Sequence, residues 1–204
     1  MPSQHSRRSA RGGRGLLPPN PKQWENEHNG LDLRDDLGLA ADARLPVEAA
    51  YSLLPNVRIL PHGEVPAALK FIVHFRREGN RSWSGVAVRL PGDLGEVVIY
   101  NDSHPPSRVR ATLMEEFFHI RLEHPRSTVR QLSGEDGWRS YDSRVEEEAY
   151  GSGASALVPY CALREMLSGG VQSAGIARHF EVSSKLVEYR MKVTKLYGRY
   201  GRKR

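Results

Sequence analysis

The feature that most constrains this chain is a helix-length stretch fenced by prolines. Pro105 and Pro106 precede it and Pro125 follows it. Proline suits the first turn of a helix and cannot continue one, so the fence predicts a helix over Ser107 to Glu123. Val109, Leu113, Phe117 and Ile120 recur within it at roughly helical spacing and give it an apolar face. Such a face must be covered by another element.

A second helix is expected from Asp142, a good N-cap, to Leu157, stopped by Pro159. Ahead of the first, an amphipathic helical segment runs from Trp24 to about Ala43. A short helix follows over Pro46 to Leu54, with Pro46 in its first turn. Val57 to Leu60 is short, β-branched and strand-like. Ala68 to Phe75 is apolar and reads as a strand or a helix end. Gly85 to Leu90 and Glu96 to Tyr100 flank a Pro-Gly-Asp-Leu-Gly turn, the pattern of a β-hairpin. Ser127 to Tyr141, with Gly134 and Gly137, reads as loop or short strand. Two more helices fit Val171 to Phe180 and Ser183 to Tyr197. Helices, then a small antiparallel sheet, then helices make an α+β layout.

Composition narrows the classes of function. No stretch approaches the roughly 18 apolar residues of a membrane helix. The Arg-rich start has no apolar run behind it and is not a secretory signal. Cys161 stands alone, which excludes an intramolecular disulfide and points to a reducing, cytoplasmic setting. The net charge of +6 is uneven. Residues 1–22 carry five basic and no acidic side chains, residues 185–204 eight basic and one acidic, leaving 17 basic against 23 acidic between them. An acidic body with basic ends could touch nucleic acid or an acidic partner, or simply carry solvated tails. Residues 1–22, rich in Ser, Arg, Gly and Pro, are expected to be disordered.

The chemistry lies in Glu115-Glu116-Phe117-Phe118-His119. Glu115 and His119 are four residues apart, so a helix stacks them on one face, while Glu116 points roughly 100° away. A metalloprotease helix uses this arrangement: two ligands at i and i+4, with a glutamate between them as general base. The usual sequence has histidine where Glu115 stands. A third ligand would come from the next helix, which opens on Glu146 to Glu148. The spacing alone also fits a solvated charged face, and an acidic first turn suits a helix dipole in any protein. His124, five residues past His119, would point about 140° away on an unbroken helix and is expected to cap or pack. Trp24, Trp83 and Trp138 are expected to pack, Cys161 not to act as a nucleophile, and Gly151 and Gly153 to permit close helix packing.

Arg108 to His124 resembles the active-site helix of the ImmA/IrrE metallopeptidases. Glu146 to Pro159 is similar to their second signature, a glutamate-led helix ending in an apolar pair and a proline. The resemblance covers roughly residues 30–200. It implies an α+β fold, with a small antiparallel sheet packed against a zincin-like active-site helix and a C-terminal helical bundle. The expected domains are a basic tail over 1–22, a metallopeptidase-like domain over 23–160 and a helical segment over 161–204. His119 and Glu146 would be metal ligands, Glu116 the general base, and Glu115 would replace the first histidine ligand. Tyr150 stands where an asparagine or aspartate often helps to orient a histidine. The implied metal is zinc; two carboxylates make the site harder, which shifts preference toward manganese or iron(II), and a metal-free scaffold stays open. The implied substrate is a protein, a repressor of the helix-turn-helix class in stress or mobile-element regulation. Ile176 to Arg190 itself resembles a helix-turn-helix, with Lys185, Arg190 and Lys192 as candidate DNA contacts, although the usual turn glycine is absent. The alternative is an inactive regulator of the same fold that binds DNA or a repressor through these helices.

Overall fold

The computed structural model describes residues 17–65, 83–90, 92, 94–125, 127–128 and 142–201. The expectations for residues 1–16, Ala68 to Phe75, Trp138 and most of Ser127 to Tyr141 lie outside these. Along the described chain run α1 (Trp24–Asp36), α2 (Val47–Tyr51), β1 (Val57–Pro61), β2 (Gly85–Arg89), β3 (Glu96–Tyr100), α3 (Pro106–Arg121) and β4 (Ser127–Thr128). Then follow α4 (Ser143–Leu157), α5 (Tyr160–Ser168), α6 (Ser173–Phe180), α7 (Ser184–Val193) and α8 (Tyr197–Tyr200). The fold is α+β. No helix among the described residues is long and apolar enough to cross a membrane.

The strands lie in the order β1-β3-β2-β4. The expected hairpin is present, with Gly85 opposite Tyr100 and Arg89 opposite Glu96. Its turn needs Gly95 at φ +85°, where an added Cβ would lie 2.2 Å from the Asn56 carbonyl oxygen. The sheet is mixed rather than antiparallel, because β1 pairs with β3, and β4 with β2, in parallel. A tight turn joins only antiparallel neighbours; β1 and β4 reach the hairpin through longer connections, and each runs in the same direction as the strand it pairs with.

Helix α4 packs between α3 and α1. Small residues allow the approach. A Cβ on Gly30 would lie 2.6 Å from the backbone nitrogen of Ala156, and one on Gly153 would lie 3.0 Å from the carbonyl carbon of Met114. Gly151 does the same against Asn26. The main core runs from Leu33 through Phe117, Phe118 and Leu157 to Phe180, Val187 and Met191, and Val65, Val88 and Ile99 form a smaller one.

Helix α1 stops at Asp36, short of the expected Ala43. Its buried face has helical spacing but polar chemistry: Asn26, Glu27, Gly30, Leu33 and Arg34. The buried Arg34 guanidinium donates to the carbonyl oxygens of Ala156 at 2.7 Å and Ala40 at 2.5 Å, and to that of Ala43. Residues after Asp36 wrap this cation instead of continuing the helix. Trp24 is 43% exposed rather than packed, its indole N–H donating to the Pro18 carbonyl at 2.8 Å. Trp83 meets His62 edge to face.

Pro159 ends α4 as expected and also occupies the N-cap of α5, a helix absent from the sequence expectations. The α6–α7 turn does without glycine: Glu181 adopts the left-handed conformation at φ 54°, and the Ser183 hydroxyl caps α7 by accepting from the Leu186 N–H at 3.1 Å.

Arg190 is not on a DNA-facing surface. It is 0% exposed, ion-paired to Glu27, and its Nε–H donates to the Val158 carbonyl at 2.9 Å. Glu27 also accepts the Tyr160 N–H at 2.6 Å. Lys185 and Lys192 are exposed. The Glu27–Arg190 pair therefore ties α1 and α7 to the α4–α5 corner. Removing one partner strands a buried charge, which typically costs about 3–5 kcal/mol. Urea unfolding of Arg190→Met should show a loss of that order, and Glu27→Gln combined with Arg190→Met should recover part of it. A single variant as stable as the parent would contradict this role.

Candidate metal centre

The start of α3 follows from Pro105 as N-cap and Pro106 as first residue. Three turns on, it presents Glu115, Glu116 and His119. Helix α4 begins where the Asp142 carboxylate accepts the Arg144 N–H at 2.9 Å, and this places Glu146 in its first turn. Glu115, Glu116, His119 and Glu146 all line one cavity of about 240 Å³, which residues 84–87 at the start of β2 also line. The carboxylate of Glu146 meets the imidazole of His119, Oε2 to Nε2, at 3.1 Å. His119 is 3% exposed.

The two adjacent glutamates do different things. Glu116 turns to the sheet, where its Oε2 accepts the Ala87 N–H at 2.9 Å. Glu115 lies on the α4 side. Burial, and then the negative charge of Glu146, push its carboxyl up to about 7. Two carboxylates forced together in a buried site repel unless a proton or a cation intervenes. Tyr150 packs edge-on against Tyr189, with centroids 5.0 Å apart. Burial and then the charge of Glu115 raise the Tyr150 phenol. The Tyr150 phenol thus lies within reach of the Glu115 charge.

A divalent cation can be tested against these side chains. Two carboxylates and an imidazole share one cavity, one pair is already in contact, and the mutual repulsion of Glu115 and Glu146 is what a cation relieves. The donor chemistry fits. Among the described residues, no three His, Cys, Asp or Glu side chains have already closed on a common point with metal-holding spacing.

His124 packs at the end of α3, as expected, but it points toward His119 rather than away from it. Helix α3 ends with Glu123 in the left-handed conformation at φ 58°, the His124 N–H bonding to the His119 carbonyl at 2.9 Å and the Glu123 N–H to that of Ile120 at 3.1 Å. This double closure reverses the chain. It turns His124 back onto His119, with Nδ1 atoms 3.1 Å apart. A glycine or asparagine at position 123 would have signalled the reversal; glutamate gives no such sign. Cys161 is half-buried in α5, and burial pushes its thiol up, against a nucleophilic role.

A helix bearing Glu-Glu-x-x-His, backed by a glutamate-led helix and flanked by a small mixed sheet, is the layout of a metallopeptidase-like domain. The family model of the IrrE N-terminal-like domain, a peptidase family, matches residues 70–192, more than half of the chain, and the chain belongs to that family. No curated protein matches it.

Because the Glu115 carboxyl is raised on folding, its protonated form is favoured by the fold. Its contribution to stability is full below the ordinary carboxyl range and is lost as pH rises through about 7. Metal-free protein in chelator should therefore lose stability between pH 5 and pH 8, by roughly 3 kcal/mol at most. Glu115→Gln should flatten that slope in urea unfolding. An unchanged slope in the variant would contradict the burial of this carboxylate beside Glu146.

Proposed function

We propose that the protein is a metal-dependent endopeptidase, with Glu115, His119 and Glu146 holding the metal and Glu116 acting as general base. The observation that carries this reading is the 3.1 Å contact between His119 on α3 and Glu146 on α4, made inside a cavity that Glu115 and Glu116 also line. Zinc is the simplest occupant. Two carboxylates beside one imidazole also suit manganese or iron(II). When bound, the metal supplies Lewis acidity toward a peptide carbonyl and an attacking water.

The remaining steps belong to the chain. Glu116 takes the proton of the attacking water and hands it to the departing amine. The Ala87 N–H holds its carboxylate in place between these two tasks. Burial of His119 keeps competing water from its ring. The substrate would be a protein, by family resemblance a helix-turn-helix repressor in stress or mobile-element regulation, met in the cytoplasm.

The second reading is a non-cleaving regulator that binds DNA or a repressor through α6 and α7. It is favoured by the short turn at Glu181 that joins α6 to α7 and by exposed Lys185 and Lys192. With Arg190 buried, two of the three expected DNA contacts remain.

Metal analysis of dialysed protein should find about one metal per chain, as expected of a dedicated site. On a proteome-derived peptide library, Glu116→Gln should lower cleavage by about 10²–10⁴-fold while metal content holds. Glu115→His should bind zinc more tightly than the parent. Retained cleavage in Glu116→Gln, or a parent protein that carries no metal, would refute the peptidase reading. Salt-sensitive DNA retention that Lys185→Ala with Lys192→Ala abolishes would favour the regulator.

A further inference from the structure

The peptidase chemistry leaves unused the buried side chain that the end of α3 turns inward. His124 is 8% exposed and lies edge-on to His119, with ring centroids 5.1 Å apart. Both of its nitrogens are engaged. Nδ1 lies 3.1 Å from Nδ1 of His119, and Nε2 lies 3.3 Å from Oε2 of Glu148 on α4.

With a neutral His124, the polarity of this chain of contacts runs one way. An ionised carboxylate only accepts hydrogen bonds, so Nε2 of His124 carries the hydrogen that it shares with Glu148. A neutral imidazole with hydrogen on Nε2 accepts at Nδ1. Nδ1 of His119 is then the donor of the pair, and Nε2 of His119 is the nitrogen left toward the cavity, where it meets Glu146. A bound metal would take the place of the proton that Nε2 shares with Glu146, and Nδ1 donates in both cases.

We infer that Glu148 and His124 are positioning residues, a relay that keeps hydrogen on Nδ1 of His119 and aims Nε2 of His119 at the metal centre. Its purpose rests on the peptidase reading; its geometry does not. Histidine ligands commonly donate their second nitrogen to a carboxylate or a carbonyl, which fixes tautomer and ring orientation. Here a second histidine is inserted between ligand and carboxylate. His119 is the one imidazole among the three proposed ligands, so its orientation matters more than in a two-histidine site. The left-handed Glu123 sets the reach of the relay, since it returns His124 under the last turn of α3. Glu146 and Glu148 stand two residues apart on α4, so one helix supplies both the proposed ligand and the anchor of the relay.

The test uses the full chain labelled with ¹⁵N, with long-range spectra of the His119 ring and zinc affinity from chelator competition. Wild-type His119 should show a protonated Nδ1 with and without zinc. His124→Leu should weaken zinc binding by about 10–100-fold and give mixed tautomers in the metal-free protein. His124→Asn, which keeps an acceptor near the former Nδ1, should recover most of the affinity. Glu148→Ala, at a half-buried position where refolding is not at stake, should weaken zinc by about tenfold and serves if His124→Leu does not fold. Zinc affinities of His124→Leu and Glu148→Ala both within about twofold of wild type would overturn the relay, as would an unprotonated Nδ1 in wild-type His119. If wild type takes up no zinc, the peptidase reading fails, and the metal-free spectra still decide the relay: Nδ1 protonation that His124→Leu diminishes upholds it, and an Nδ1 unprotonated in wild type or equally protonated in His124→Leu ends it.

Discussion

The candidate site depends on the seam between α3 and α4. His119 and Glu146 are 27 residues apart in sequence and can share a cavity only if the two helices lie close enough for their side chains to meet. Gly153 makes that possible, since a side chain there would press on the Met114–Glu115 backbone of α3. On its other face α4 is held by α1, through Gly30 against Ala156 and through the Arg34 guanidinium on the Ala156 carbonyl. The helix that carries Glu146 is thus gripped on two sides. Interiors pack densely and yield little, so this grip fixes where the carboxylate can be.

Charge is the second constraint. Glu115, Glu146 and Glu116 are three carboxylates around a cavity of about 240 Å³, and each is managed differently. Glu116 is held by a backbone N–H of β2. Glu146 faces an imidazole. Glu115 is left with burial and repulsion, which is why its carboxyl stands at about 7. A histidine in its place would remove one negative charge and the repulsion with it. The choice of glutamate or histidine at position 115 thus changes the electrostatics of the site more than its outline.

The sequence made the helices legible because their ends are chemically marked. Pro105, Pro106 and Pro159, the Asp142 cap and the Ser183 cap all act within a residue or two of the positions expected of them. It made the common placement of Glu115 and His119 legible because i and i+4 spacing survives translation into a helix. It hid what depends on distant partners. Parallel pairing of β1 and β4 is decided by connections, not by strand composition. Arg190 reads as a recognition-helix cation until Glu27, 163 residues away, is placed against it. The return of His124 depends on a left-handed glutamate, a conformation that residue type seldom announces. Helix α5 was hidden by Pro159, which ends one helix and caps the next.

X-ray absorption at the zinc edge of the zinc-loaded protein tests most directly whether the two helices form one metal centre. The account predicts a shell of nitrogen and oxygen at about 2.0–2.2 Å, with the outer-shell scattering of a single imidazole and no sulfur. A spectrum of solvent oxygens alone, or one with a sulfur neighbour from Cys161, would contradict it.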